Sequence, residues 1–84
     1  MTKHAIKKYD IKDSRNHLRG SIIISKNDIH DTYTASIMLD VEDKGELYFS
    51  DALFTDNTEK KVLKQATQWI KTKIPITEIT SFNF

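Results

Sequence analysis

Five carboxylates crowd a short stretch in the middle of the chain, and they are Asp40, Glu42, Asp43, Glu46 and Asp51. Two carboxylates that flank a cleft can hydrolyse glycosidic bonds, provided that burial raises the pKa of one of them. The surrounding residues, DKG among them, favour an exposed β-turn, where neither carboxylate would be desolvated. We interpret the stretch as a solvated tip, or as an acidic docking site for a basic partner. Glu42, Asp43 and Glu46 are its candidate partner-binding residues.

A second group of chemically capable side chains lies in the sequence NDIHD, which contains Asp28, His30 and Asp31. Imidazole and carboxylates together can bind Zn²⁺ or another divalent cation. The same residue types are ordinary in loops, and this segment connects two predicted strands. We therefore interpret it as a loop and predict neither a metal site nor a cofactor.

The sequence lacks the motifs that indicate covalent or nucleotide chemistry. The chain has no cysteine, and neither glycine lies in a G-x-S-x-G setting. Gly20 and Gly45 are also too far apart to form a glycine-rich phosphate loop. We predict that the protein is not an enzyme; an active site without a recognisable motif is the remaining alternative.

Basic residues concentrate towards the two ends of the chain. Residues 1–20 and residues 60–84 each carry a net charge of +4, whereas residues 21–59 carry −7. Nucleic acids bind basic segments through counterion release. For that alternative, the candidate residues are Lys7, Lys8, Lys12, Arg15 and Arg19. Against it, the pI is about 8.0, below the value above 9 that is typical of such domains, and most of the basic residues are lysines, which cannot make bidentate contacts.

These groups must be positioned by a small α+β domain. Apolar and mostly polar residues alternate over 33–41, which predicts a strand with one buried face. A three-residue loop, DKG, then predicts a hairpin in which Val41 pairs with Leu47 and Leu39 with Phe49. Because this register would bury Asp51, we expect a bulge near residues 50–51.

Two more strands are predicted upstream of the hairpin. GSIIIS predicts a strand in which Ile22 pairs with Ala35 and Ile24 with Tyr33. AIKKYDIK predicts an edge strand, although Lys7 interrupts its apolar alternation. Three or four antiparallel strands therefore precede the helix.

One amphipathic helix is predicted over approximately 56–73. Its apolar residues recur at helical spacing, and they are Val62, Leu63, Ala66, Trp69, Ile70 and Ile74. Thr55 or Asp56 is the expected N-cap, and Pro75 ends the helix. We expect this stripe to pack on one face of the sheet.

The last residues, 74–84, form an extended tail with two phenylalanines, Phe82 and Phe84, near its end. Burial of each would contribute roughly 1.5–3 kcal/mol to stability. We expect the tail to pack on its own domain, or alternatively on another chain, and both phenylalanines are candidate partner-binding residues.

Taken as a whole, the 84 residues are predicted to form a single small domain. No apolar run is long enough to span a membrane, and the first residues lack the apolar centre of a secretory signal, so we expect a cytoplasmic protein. The absence of catalytic motifs, the segregated charge and the apolar tail favour a non-enzymatic interaction module. It would act through a protein partner or through self-association, for which a homodimer is the commonest form.

Overall fold

The described residues form a five-stranded antiparallel sheet and one helix. The computed structural model describes residues 3–13, 15, 17–74 and 77–82. The elements are β1 (Lys3–Asp13), β2 (Leu18–Asn27), β3 (Thr32–Asp43), β4 (Glu46–Asp56), α1 (Glu59–Lys73) and β5 (Thr77–Phe82). The strands lie in the order β4-β3-β2-β1-β5. The predicted α+β class, with four strands followed by one helix, is confirmed.

The alternation in β2 and β3 places one set of side chains in the core, between the sheet and the helix. Ile22 pairs with Ile37 and Ile24 with Ala35, and all four side chains are fully buried. The predicted pairing of these isoleucines was therefore wrong by two residues. The faces were nevertheless assigned correctly, because a shift of two residues keeps every side chain on the same side of a sheet.

Gly20 lies where β2 and β3 approach each other too closely for a side chain. A Cβ atom at this position would lie 1.9 Å from the carbonyl oxygen of Met38. Gly20 pairs with Leu39 on one side and with Ile11 on the other, in the middle of the sheet. The missing side chain therefore allows the strands to approach.

The hairpin between β3 and β4 turns through two residues, not three. Lys44 and Gly45 both have positive φ, 53° and 81°, as in the two-residue turns that match the twist of a hairpin. Val41 consequently pairs with Tyr48, and the register continues to Asp56 without a bulge. The predicted register and the predicted bulge were both wrong. One residue of difference moves Leu47 and Phe49 to the opposite face of the sheet.

The register of β1 is irregular at the point where Lys7 interrupts the apolar alternation of the sequence. The register with β2 shifts between Ala5 and Lys7, and Ile6 packs against the core. Lys7 donates a hydrogen bond through Nζ to Oε2 of Glu59, at 2.9 Å, on the first turn of the helix. Because β1 lies between β2 and β5, the prediction of an edge strand was wrong.

The helix covers β2, β3 and β4 on one face of the sheet. Val62, Ala66 and Ile70 are its fully buried residues. Its N-cap is Thr58, whose Oγ1 accepts a hydrogen bond from the backbone N–H of Lys61, at 3.2 Å. The predicted caps were wrong because β4 extends through Asp56, whose carboxylate accepts hydrogen bonds from Asn57 and Gln65.

The tail that was predicted to be extended contributes the fifth strand. The backbone of Thr77–Phe82 pairs antiparallel with β1, from Asp13 opposite Thr77 to Lys8 opposite Phe82. The strand therefore belongs to the sheet of its own domain, in agreement with the first of the two expectations. Phe84 lies outside the described residues, as does the side chain of Phe82.

Candidate protein-binding surface

The sheet face opposite the helix carries large apolar side chains that the described part of the chain leaves exposed. We call four of them the outer patch, and they are Met38, Leu47, Phe49 and Leu53, with exposed fractions of 47%, 72%, 58% and 62%. Their placement follows from the register, since the neighbours of Met38 along β3, Ile37 and Leu39, are both fully buried. Small scattered apolar groups are normal on a protein surface, whereas a contiguous apolar patch marks a site of interaction.

An acidic residue lies at the centre of the outer patch. Asp51 pairs directly with Met38, and Phe49 and Leu53 stand two residues before and after it on the same face of β4. These residues and Ser36 line a shallow depression of about 520 Å³. The surface therefore offers apolar contact on both sides of the Asp51 carboxylate.

The carboxylates around the outer patch are not neutralised by the described part of the chain. Asp40, Glu46 and Asp51 are exposed, and within residues 3–13, 15, 17–74 and 77–82 none of their carboxylates has an ion-pair partner. Lys44 at the turn is the single basic residue between positions 40 and 51. Carboxylates without an ion-pair partner favour the approach of positively charged groups.

The hairpin tip contains the acidic residues proposed from the sequence. Asp43 pairs with Glu46 across the turn, and Glu42 pairs with Leu47. Glu46 is exposed, while the side chains of Glu42 and Asp43 lie outside the description. The acidic tip of the hairpin therefore adjoins the outer patch at the Glu42–Leu47 pair.

Part of the proposed basic surface is occupied by contacts within the domain. Lys7 is bonded to Glu59, which raises the pKa of the lysine. Lys8 lies 4.0 Å from a carboxylate oxygen of Asp10. These contacts reduce the charge that β1 presents to an external anion.

Arg19 takes part in a cluster that closes the connection between β1 and β2. Its guanidinium lies 3.2 Å from Oδ2 of Asp13, and its Nε donates to the carbonyl oxygen of Asp40. Asp13 also accepts hydrogen bonds from the backbone N–H groups of His17 and Arg15, and chiefly the bond from His17 lowers the pKa of Asp13. Arg19 therefore has a structural role, whereas the Arg15 side chain is exposed and Lys12 is partly buried.

The loop between β2 and β3 gathers polar residues without forming a metal site among the described residues. The side-chain oxygen of Asn27 accepts hydrogen bonds from the N–H groups of Ile29 and His30. Asp28 faces His4 of β1 at 3.5 Å, and Asp31 faces Lys26 at the same distance. Each carboxylate is thus directed towards a different neighbour.

The sequence analysis did not identify any residue of the outer patch as a candidate binding residue. It placed Phe49 in the core because a three-residue turn would pair Phe49 with the apolar residue Leu39. The available signal was Asp51: a register that buries a carboxylate beside Ile37 should have led to a two-residue turn instead of a bulge. With Lys44 and Gly45 alone in the turn, Asp51 reaches the outer face without any irregularity.

Comparison with protein-family models, with curated proteins and with solved structures gives no match. Within the described residues, no helix is long and apolar enough to cross a membrane.

Proposed function

We propose that this protein is a small, non-enzymatic interaction module that binds a protein partner through the outer patch. The observation that carries the proposal is the exposure of four large apolar side chains on one sheet face, around an unpaired carboxylate. Such side chains contribute to binding when a partner removes them from water, at roughly 25 cal/mol per Å² of apolar area.

The domain organisation supports the assignment of binding to this face. The opposite face of β3 and β4 is already covered by α1, and its residues form the core. The outer patch makes no comparable contribution to the fold, so its apolar character calls for another explanation. Binding of a partner supplies one.

A selection from a displayed peptide library tests the proposal. Bait proteins would be the wild type, the double variant Phe49→Ser with Leu53→Ser, and a control double variant, Lys60→Ser with Lys64→Ser, on the exposed side of α1. We expect clones that bind the wild type and the helix control alike and bind the patch variant at least about tenfold more weakly. Circular dichroism would verify that all three baits are folded. Clones that bind all three baits equally, or no enrichment at all, would contradict the proposal.

Self-association and nucleic-acid binding are the alternatives that the sequence left open. Light scattering at low and high salt tests the first, and the predicted result is a monomer in both. Titration with duplex RNA or DNA at low salt tests the second, and we expect little binding because Lys7 and Arg19 are engaged within the domain. Location in the cytoplasm stays a prediction from the sequence.

A further inference from the structure

The edge of β4 lies directly beside the outer patch. In the described sheet β4 is a terminal strand, and it pairs with β3 from Glu46 to Asp56 without a shift in register. It contains no proline, lysine or bulge, which are the devices that commonly block strand addition. On the side away from β3, alternate backbone N–H and C=O groups are therefore available for hydrogen bonds to an added strand.

We propose, on the basis of the binding surface described above, that its ligand is an extended cationic segment that adds to β4 as an antiparallel sixth strand. Directly opposed side chains in an antiparallel pair lie about 4.5–5.5 Å apart at Cβ and interact. Read from its N-terminus, the ligand faces Leu53, Asp51, Phe49 and Leu47 in turn. The pattern recognised is apolar, basic, apolar and apolar at every second position. Hydrogen bonds to the backbone of β4 give affinity, and this pattern gives specificity.

Asp51 determines that the second position is basic. Its carboxylate is exposed, has no ion-pair partner among the described residues and is flanked on the same face by Phe49 and Leu53. An added strand would cover it from the open side and remove part of its water. A lysine or arginine opposite Asp51 compensates for that loss, whereas an acidic residue would be repelled.

A second copy of β4 is a poorer ligand for the same edge. Two copies of β4 that pair antiparallel are related by a two-fold axis perpendicular to the sheet. The outer patches of both copies then lie on the same side only if one residue of β4 pairs with the same residue of the second copy. If that residue is Ser50, Asp51 or Ala52, the two Asp51 carboxylates become opposite or diagonal neighbours, within about 8 Å. Repulsion over this distance is only partly screened at physiological salt. In these three registers Asp51 disfavours self-pairing, whereas it favours a cationic strand.

Charge reversal tests the recognition of a basic residue. A labelled synthetic peptide, TVTKTVTVTS, would be titrated into the wild type and into Asp51→Lys, alongside the same peptide with glutamate in place of lysine. The lysine peptide is expected to bind the wild type about tenfold more tightly than the glutamate peptide, and Asp51→Lys should invert this preference. An unchanged preference in Asp51→Lys, or no saturation of the wild type up to about 1 mM, would overturn the proposal.

Backbone methylation tests the addition of a strand. Two peptides would carry N-methyl groups on alternate amides, one set at even positions and the other at odd positions. Only one set can point towards β4, so one peptide should lose binding and the other should keep it within about threefold. Equal binding by both would exclude strand addition.

The outcomes separate this proposal from the proposed function. Some library clones could require Phe49 and Leu53 but, as synthetic peptides, tolerate both methylation patterns, or they could lack a basic residue at the second position. Either result would overturn the proposed cationic strand and leave the proposed binding surface in place. A dimer in light scattering that Asp51→Lys does not alter would overturn the cationic ligand in favour of a second copy. Absence of any patch-dependent clone would remove the binding surface itself.

Discussion

The two faces of the β3–β4 hairpin are built from similar residues but have different surroundings. On the helix side, Ile37 and Leu39 are completely buried under α1. On the other side, Met38 and Phe49 lie on the same two strands and are about half exposed. Apolar character therefore does not determine which face forms the core, since that depends on where the covering helix lies. No described element covers the second face, and this is the face for which we propose a partner.

The largest effect on stability is expected from a core residue of this hairpin. Ile37→Ala removes a fully buried side chain and should reduce the free energy of unfolding by about 2–5 kcal/mol, because the cavity left behind cannot collapse completely. Phe49→Ala, on the other face, should change it by no more than about 0.5 kcal/mol. Urea denaturation measures both values.

A conservative control accompanies this pair. Ile37→Val should cost about 0.5–1.5 kcal/mol, between the other two variants. If Phe49→Ala destabilises the protein as much as Ile37→Ala does, the two faces are equivalent and the outer patch belongs to the core.

A smaller but still large effect is expected where β2 and β3 approach most closely. Gly20→Ala places a Cβ atom 1.9 Å from the carbonyl oxygen of Met38, so the backbone must move. We expect a loss of about 1–3 kcal/mol, the usual cost of overpacking. Gly45→Ala is an informative comparison. Apart from its two chain neighbours, no described residue has an atom within 4 Å of the added Cβ, and the expected strain comes from its φ of +81°. Equal stability of Gly20→Ala and wild type in thermal unfolding would be inconsistent with the register of β2 and β3.

The start of the covering helix should contribute less. Thr58→Ala removes the acceptor for the N–H of Lys61 and is expected to cost about 1 kcal/mol. Thr58→Ser keeps the acceptor and serves as the control. Peptide binding by Thr58→Ala should remain unchanged, because the helix lies on the face away from the outer patch. If Thr58→Ala is fully folded but no longer binds the peptide, the helix side of the sheet contributes to binding, and the two faces are not independent.

The smallest predicted effect is the pH dependence of stability that comes from the charge of Asp13. Hydrogen bonds from backbone N–H groups lower the pKa of Asp13, so its ionised form stabilises the fold above the pKa of the unfolded state. This stabilisation is lost as the pH falls through the ordinary aspartate pKa of 3.8 and below the lowered pKa of the folded state. Asp13→Asn should therefore show a weaker fall in stability over that range than the wild type. Asp51→Asn removes an unpaired carboxylate and is the control; identical pH profiles for wild type and Asp13→Asn would contradict the expected role of Asp13.

The sequence predicted the elements well because they depend on local pattern. The alternation over residues 33–41 and the helical spacing from Val62 to Ile70 each require one buried face, and the structure has both. The bulge at Ile6 was not predictable in the same way. It accompanies a contact between Lys7 and Glu59, which are 52 residues apart in the chain and which no local pattern indicates.

The proposed binding surface was harder to predict than the elements, because it depends on the register of β3 and β4. An error of one residue at the turn exchanged the faces of β4 and moved Phe49 from the surface into the predicted core. The charged candidates were chosen without knowledge of their partners, and two of them, Lys7 and Arg19, are paired within the domain. The charge pattern of the sequence indicated the acidic hairpin as a candidate site. The register of β3 and β4 was needed to identify the apolar residues that a partner would contact.

The most direct test of the binding surface is a map of amide chemical shifts in the ¹⁵N-labelled protein during titration with a selected ligand. We expect the largest changes along β4, from Leu47 to Leu53, and at Met38 in β3, with little change on the exposed side of α1. Changes concentrated in α1 or in β1, with β4 unaffected, would contradict the assignment of binding to the outer patch.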